Sequence, residues 1–219
     1  MHLTVSEENY IKAIFHLQEA DGTVSTNQLA ANIHTKPASV TDMLKKLTSK
    51  RLLLYKPYQG VRLSSEGRKL ALEIVRKHRL WESFLVDKLQ FGWDEVHEVA
   101  EELEHISSKK LVDKLDQFLG NPRFDPHGDP IPDSNGVMVA LRQVNLLDLK
   151  PHTKAEVCSV GSQSPELLEL LKHKQILIGT RLEVQCKFEF DHSLEIQLEG
   201  RGNITISQQL AQALFVKTI

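Results

Sequence analysis

The segment of residues 120–136 constrains the fold more than any other feature of this sequence. It reads GNPRFDPHGDPIPDSNG, and its closely spaced proline, glycine and aspartate residues give it the composition of a linker. Before it, apolar residues repeat at three and four positions, as they do on buried helix faces. After it, they alternate in short runs rich in β-branched residues, as in strands. The sequence therefore predicts a helical amino-terminal part and a carboxy-terminal β domain.

The amino-terminal part has the element order of a winged helix-turn-helix. Ser6 can cap a first helix, and Thr26 can cap a short second one. A turn at residues 34–36 leads to Pro37, which fits the first turn of a third helix because its missing N–H costs no hydrogen bond there. Two short apolar segments around the Pro/Gly turn of residues 56–60 then predict a hairpin.

The rest of the chain predicts three more helices and then a small β structure. Amphipathic segments predict helices at residues 64–89, 94–106 and 107–119. Beyond the linker, strands are expected at 155–160, 181–187, 194–198 and 203–207, with a short helix at 165–172. Several short strands with one helix suggest a small barrel.

The charge of the chain is unevenly distributed. Residues 1–80 carry 13 Lys and Arg against 7 Asp and Glu, which gives +6, whereas the remaining residues carry 14 against 22, which gives -8. A basic amino-terminal third joined to an acidic remainder is typical of a DNA reader attached to a cation-binding module.

Several functional classes are disfavoured by what the sequence lacks. Its apolar runs fall well short of the ~20 residues needed to span a bilayer. The polar amino terminus does not resemble a signal peptide, and Cys158 and Cys186 are too few for a disulfide framework. HExxH, P-loop and GxSxG motifs are absent. We therefore expect a cytoplasmic protein that does not associate with membranes and is not an enzyme.

The third helix of the winged domain is the expected reader of DNA. In a helix-turn-helix, the second helix of the motif lies in the major groove and its first residues meet the base edges. Small side chains and hydroxyls at its start suit base contacts, and the lysines that follow suit phosphate contacts. A basic helix exposed to solvent in a protein-binding domain is the competing interpretation. The candidate DNA-contacting residues are Thr35, Lys36, Pro37, Ser39, Thr41, Asp42, Lys45 and Lys46, with Lys56 and Arg62 on the wing.

The sharpest chemical signal lies in the next two helices. His78 and Glu82 are four residues apart and so share a helix face. The following helix carries a second group of imidazoles and carboxylates, at His97, Glu101, Glu104 and His105. Mixed sets of this kind suit divalent first-row metals, and carboxylate-rich sets favour manganese and iron. A single His–Glu pair is usually a surface ion pair, but six such residues on two consecutive helices predict metal binding.

These motifs resemble the diphtheria-toxin-repressor and manganese-transport-regulator family. The resemblance rests on HRLWE at residues 78–82, on His97, and on Glu101-x-x-Glu104-His105, and it extends over nearly the whole chain. It implies a metal-dependent transcriptional repressor of α+β class that binds operator DNA as a homodimer. The expected domains are a winged helix-turn-helix at 1–72, a helical dimerisation and metal-binding region at 73–137, and an SH3-like (FeoA-like) barrel at 138–219.

The resemblance also implies two metal sites per chain, filled by Mn²⁺ or Fe²⁺, with Mn²⁺ favoured. One site would use Glu101, Glu104 and His105, completed by Asn9 of the first helix. The other would use Glu82, joined either by His78 and His97 or by Asp125 and His127 of the linker. The carboxy-terminal domain would contribute near Gln163 and Glu166.

Three positions depart from the family pattern. Asn9 stands where iron sensors have methionine and manganese sensors have aspartate, and Gln163 stands where an acidic ligand is expected. Glu101 replaces the cysteine of iron sensors, and this change from soft sulfur to hard oxygen favours manganese. Two alternatives to a metal-dependent repressor are a winged-helix regulator that senses another ligand and a metalloenzyme.

Overall fold

The computed structural model describes residues 3–18, 22–56, 59–140 and 142–219, without the side chain of Lys56. These residues form two compact units. The first comprises the chain up to His78 together with residues 102–110 and 132–137. The second comprises residues 79–101, 111–131 and 138–219.

The first unit contains the winged helix-turn-helix. Its elements are α1 (Val5–Leu17), α2 (Thr26–Asn32), α3 (Pro37–Ser49), the antiparallel hairpin of β1 (Leu53–Lys56) and β2 (Gly60–Leu63), and the first half of α4 (Ser65–Leu89). Ile11, Ile14, Leu29, Leu44 and Leu47 are fully buried in its core. The apolar faces that the sequence predicts for these helices therefore pack against one another.

The caps of the first two helices differ from the sequence prediction. Thr4, not Ser6, caps α1, and Ser25, not Thr26, caps α2. Each hydroxyl accepts a hydrogen bond from the N–H three residues later, and the side chain there, Glu7 or Gln28, accepts one from the N–H of the cap. These reciprocal bonds form capping boxes, which is why the residue three positions before a Glu or Gln is preferred as the cap.

The second unit contains the rest of α4, most of α5 (Val96–Leu103) and α6 (Lys109–Phe118), and a six-stranded antiparallel sheet. The sheet order is β3-β8-β4-β5-β6-β7. Its members are β3 (Val144–Asn145), β4 (Lys154–Val160), β5 (Arg181–Lys187), β6 (Leu194–Leu198), β7 (Asn203–Ile206) and β8 (Leu214–Thr218). Two helices, α7 (Pro165–Lys174) and α8 (Gln208–Gln212), and a 3-10 turn at Leu146–Asp148 complete it.

The predicted strands are present, but the sequence prediction missed β3, α8 and β8. β8 pairs with both β3 and β4 and so lies inside the sheet. Leu214 and Val216 are fully buried on it, whereas Lys217 and Thr218 are exposed. Among the residues that the structure describes, none of the helices is long and apolar enough to span a membrane.

Glu7 joins α1 to the end of α3 through a buried ion pair. Its carboxylate is fully buried, and its Oε1 lies 2.5 Å from Nζ of Lys50 and 3.3 Å from Nζ of Lys46. Burial alone would raise the pKa of Glu7, but the hydrogen bonds from Lys50 and from the N–H of Thr4 outweigh it and lower that pKa from 4.5 to about 2. The charge of Glu7 therefore stabilises the packing of α3 on α1.

We predict that Gly67→Ala destabilises the protein although Gly67 lies in a helix, where alanine is intrinsically preferred by about 0.5–1 kcal/mol. A Cβ at this position would lie 2.0 Å from the carbonyl oxygen of Leu52, which is backbone and cannot turn away. The steric cost exceeds the propensity gain, so the free energy of unfolding should fall by about 2 kcal/mol or more in urea titrations. Gly202→Ala, which has open space around its Cβ, is the control. A stabilised Gly67→Ala variant would contradict this packing.

A second prediction concerns pH. Because folding lowers the pKa of Glu7, its stabilising contribution is complete above the unfolded pKa of 4.5 and is lost as the pH falls from there toward about 2. Glu7→Gln should therefore flatten the decline of unfolding free energy over this range, measured by denaturant titration at successive pH values. Glu66→Gln, at an exposed position of α4, should leave the decline unchanged. An equal decline in wild type and Glu7→Gln would refute the assignment.

Candidate metal centre and DNA-binding surface

The structure exposes the predicted DNA-reading face of α3. Val40, Leu44 and Leu47 are buried on the opposite face. The exposed candidates are Lys36, Pro37, Ser39, Asp42, Lys45, Lys46 and, on the wing, Arg62. The backbone of Lys56 ends β1, and its side chain lies outside the described part of the chain.

Four of the polar candidates on and near this face already have contacts within the domain. The Oγ1 of Thr41 donates a hydrogen bond of 3.0 Å to the carbonyl of Pro37. Thr41 and Thr35 are both half-buried. Lys45 lies 3.5 Å from Asp42 in an exposed pair. Lys46, whose side chain is 52% exposed, shares the carboxylate of Glu7 with Lys50. Lys45 is therefore the lysine of α3 that is most readily available to a phosphate.

Glu104 is the centre of a buried polar cluster in the first unit. Its carboxylate is fully buried; Nδ1 of His78 lies 2.6 Å from Oε2, and Nζ of Lys12 lies 2.8 Å from Oε1 and 2.9 Å from Oε2. Burial raises the pKa of Glu104, but the hydrogen bond with His78 and the positive charge of Lys12 outweigh it, so the pKa is lowered. This carboxylate is ionised and is neutralised by groups of the chain itself.

His105 follows directly and contacts two carboxylates. Its Nδ1 lies 2.6 Å from Oε2 of Glu8, and its Nε2 lies 3.8 Å from Oε1 of Glu104. Glu8 is half-buried, whereas its neighbour Asn9, the residue that the family pattern suggests, is exposed. Glu8 is therefore the residue of α1 that the structure brings to His105, and the role predicted for Asn9 stays a prediction.

The second unit holds another cluster, around the fully buried Glu82 of α4. Nδ1 of His97 lies 3.3 Å from one oxygen of Glu82, and Nδ1 of His127 lies 3.6 Å from the other. His97 in turn lies 3.7 Å from Glu101, which is half exposed. The imidazole of His127 is also fully buried, stacks on Trp93, and has its Nε2 2.8 Å from the carbonyl of that residue. This last contact directs Nδ1 of His127 toward Glu82.

Asp125 adds a second buried carboxylate to this cluster. Burial, together with the nearby charges of Glu82 and Asp129, raises the pKa of Asp125 to about 7. Arg79 compensates in part: its Nε lies 3.4 Å from Oδ2 of Asp125 and its Nη2 lies 3.6 Å from Oδ2 of Asp129. The pKa of His127 is raised as well, because its proximity to the negative charge of Glu82 outweighs burial, which lowers it. The cluster therefore places three carboxylates around one guanidinium and the imidazole of His127.

The cluster in the second unit has the donors and spacing that a divalent cation requires. Glu82, Asp125 and His127 each offer a ligand atom within 4.8 Å of the others, and all three are buried. Oδ2 of Asp125 and Nδ1 of His127 are inaccessible to solvent and make no hydrogen bond among the described residues. Buried polar atoms left in this way are costly unless a ligand satisfies them. The residues present therefore fit a metal with oxygen and nitrogen ligands.

The loop that carries Asp125 and His127 is pressed against the sheet. Gly128 has a φ of +86°, and a Cβ there would lie 1.9 Å from the carbonyl oxygen of Cys158 in β4. The N–H of Val160 donates a hydrogen bond of 3.3 Å to the carbonyl of His127. Only glycine allows this approach, so the sheet holds the loop in position.

The carboxy-terminal candidates differ in their placement. Gln163 lies next to the cluster of the second unit, where its Nε2 donates a hydrogen bond of 3.2 Å to Oδ2 of Asp129. Glu166 is exposed in the first turn of α7.

Sequence reasoning missed four residues of these clusters: Glu8, Lys12, Arg79 and Asp129. Glu8 and Lys12 lie one turn apart on α1, and this spacing is a signal that could have identified them.

An apolar groove is exposed on the second unit. Phe118 of α6 is 65% exposed and Leu111 is 41% exposed. The groove is also lined by Trp81 and Phe84 of α4 and by Leu115. Contiguous exposed apolar surface of this kind is typical of an association interface.

Comparisons with known proteins agree with this architecture. The N-terminal DNA-binding domain of iron-dependent repressors matches residues 2–61, and their metal-binding and dimerisation domain matches residues 64–133. The FeoA domain matches residues 144–218. The predicted fold class, with its winged helix, helical dimerisation domain and FeoA-like domain, is confirmed.

Individual relatives match all or part of the same span. A structure described as a manganese-dependent transcriptional repressor in complex with manganese is 32% identical, with a TM-score of 0.89 over 97% of this chain and 100% of that one. The iron-dependent repressor IdeR of Mycobacterium leprae is 25% identical over 237 residues, 99% of each chain. The regulator MntR of Bacillus velezensis is 33% identical over 118 residues, which are 53% of this chain and 81% of that protein. The chain belongs to the iron-dependent repressor family of metal-dependent, DNA-binding transcriptional repressors.

Proposed function

We propose that this protein is a manganese-responsive repressor of metal-ion homeostasis genes, and that Glu82, Asp125 and His127 form its principal metal site. The observation that carries the proposal is the buried set of ligand atoms in the second unit, two of which make no hydrogen bond among the described residues. Carboxylate-rich sites favour manganese and iron over softer metals. The manganese-dependent structural relative favours manganese, and iron, the metal named for IdeR, is the alternative.

The residues of the chain give this site its cation dependence. Burial and the neighbouring carboxylates raise the pKa of Asp125 to about 7, so without a cation this group is partly protonated near neutral pH. The contact of His127 with Trp93 keeps its Nδ1 directed at the carboxylates. A bound divalent ion would supply the positive charge that Arg79 alone provides only in part.

We propose that a second site, built from Glu8, Glu104 and His105, couples the metal to DNA binding. Glu8 belongs to α1, the first helix of the winged domain, and His105 already lies 2.6 Å from it. Ligands from α1 and from residues 102–110 would hold these two segments together. The metal then shifts the protein toward the conformation that binds DNA, to the extent that it binds this conformation more tightly than the other one. Asn9, Glu101, Gln163 and Glu166 are accessory candidates.

The DNA and the second subunit are the partners of this regulator. The family has a dimerisation domain, and we propose that the groove lined by Trp81, Phe84, Leu111, Leu115 and Phe118 pairs with its two-fold copy. Two symmetric reading heads then match the two halves of an operator. We place the protein in the cytoplasm, where the DNA lies, and propose no catalytic activity for it.

For the DNA-binding surface, we predict that Lys45 contacts phosphate and Ser39 contacts bases. Lys45→Ala should weaken binding to all DNA sequences and lower the slope of log affinity against log salt by about one, because one fewer counterion is released. Ser39→Ala should instead change the preference among operator variants. Lys69→Ala, an exposed lysine of α4, is the control. If Lys45→Ala left the salt slope unchanged, α3 would be wrongly placed on DNA.

For the metal switch, we predict that His127→Ala, Asp125→Asn and His105→Ala lose Mn(II)-stimulated operator binding while they remain folded and dimeric. Fluorescence anisotropy with a labelled operator, with and without Mn(II), Fe(II) and Zn(II), measures the first property, and circular dichroism and light scattering measure the second. His152→Ala, at an exposed position, should behave as wild type. Metal-independent operator binding by wild type, or stimulation by an organic ligand alone, would overturn the proposal.

A further inference from the structure

Lys12 places a positive charge at the carboxylate of Glu104. Its Nζ lies 2.8 Å from one oxygen and 2.9 Å from the other, so the ammonium faces both. Its side chain is only 12% exposed and that of Glu104 is fully buried. The contact therefore lies largely outside solvent, where ion pairs are screened least.

We propose that Lys12 is a built-in cation that competes with the metal at Glu104 and so sets the metal concentration at which this second site fills. The inference rests on the proposed function, which places a metal at Glu104, His105 and Glu8. In the metal-free protein, the ion pair of Lys12 with Glu104 and the contact of Glu8 with His105 hold α1 against residues 102–110.

The geometry makes the competition direct. A divalent ion that takes an oxygen of Glu104 must approach to about 2.0–2.2 Å, as in other carboxylate–metal contacts. With the ammonium across both oxygens, the two cations would repel each other in a buried region of low dielectric constant. The ion therefore binds only when Lys12 moves away, and breaking a buried pair in this way is costly.

The two clusters differ in charge balance, which supports an order of filling. In the second unit, Glu82, Asp125 and Asp129 place three carboxylates near one guanidinium. In the first unit, the carboxylate of Glu104 faces the ammonium of Lys12 and the imidazole of His78. A cation therefore gains more at Glu82, Asp125 and His127, and the Glu104 site fills later.

The test is a titration of the metal-free protein with Mn(II), with free Mn(II) measured by electron paramagnetic resonance. We expect wild type to fill in two separated steps. Lys12→Met removes the competing charge and should move the second step to a Mn(II) concentration lower by about tenfold or more. Asp125→Asn should remove the first step and retain the second. Lys69→Met, which removes an exposed lysine of the same unit, should match wild type.

The outcomes separate the two proposals. If Lys12→Met leaves the second step where it is in wild type, or if wild type fills both sites in one step, the role of Lys12 is overturned. If wild type binds no Mn(II) at all, the proposed function fails, and the role of Lys12 fails with it.

A second measurement distinguishes competition with metal from a merely structural ion pair. Without metal, Lys12→Met should lower the midpoint of thermal unfolding, because Glu104 remains buried with less compensation. Mn(II) should then restore more of that midpoint in Lys12→Met than it adds to wild type. A structural ion pair predicts the same loss but no extra recovery, which would overturn the proposal.

Should Lys12→Met fail to fold, the double variant Lys12→Met/Glu104→Gln removes both charges and is expected to fold. It should show the first Mn(II) step and lack the second. Lys12→Arg, which keeps the charge, should retain the wild-type separation of the steps. A second step in the double variant at the wild-type concentration would show that Glu104 does not bind the ion, and would also overturn the proposal.

Discussion

The need to neutralise buried carboxylates organises this structure. Glu7, Glu82 and Glu104 are fully buried, and an ionised carboxylate in such surroundings is tolerated only with positive charge beside it. Lys46 and Lys50, at the end of α3, provide that charge for Glu7, and Lys12 with His78 provides it for Glu104. Around Glu82 the protein supplies too little, and we infer that a cation from solution makes up the difference. The same physical requirement thus stabilises the fold at Glu7 and makes the cluster around Glu82 responsive to metal.

Much of the fold could be predicted from the sequence because its elements are amphipathic. Apolar residues repeat every three to four positions in α3 and α4 and every two positions at Arg181–Lys187. The buried side chains follow the same spacing. β8 and α8 were missed because both are short. Only the first part of β8, at Leu214 and Val216, alternates between buried and less buried residues, and its last two residues are exposed. α8 has five residues, little more than one helical turn. The segment was too short for a clear period to emerge.

Helical spacing could anticipate the kinds of metal ligand, whereas the grouping of Glu82 with Asp125 and His127 was suggested only by the family resemblance. Spacing on a helix indicates that His78 and Glu82 share a face, yet it does not show that His78 bonds to Glu104. Loop residues are harder still, since the position of His127 depends on Trp93 and on the sheet, not on local sequence. A search for metal ligands does not consider Lys12, because a protonated lysine does not coordinate a metal ion. Its role emerges only from the distance between its ammonium and a carboxylate far away in the chain.

The contact at Gly128 has a consequence for how this protein can evolve. Since the loop of Asp125 and His127 lies so close to β4 that a single methyl group would collide with it, the carboxy-terminal domain forms a wall of the proposed metal site. That domain is therefore not a module that can be exchanged or trimmed independently. A fusion or deletion that begins after the linker would disturb ligands that precede it in the chain, so this domain and the loop are expected to change together.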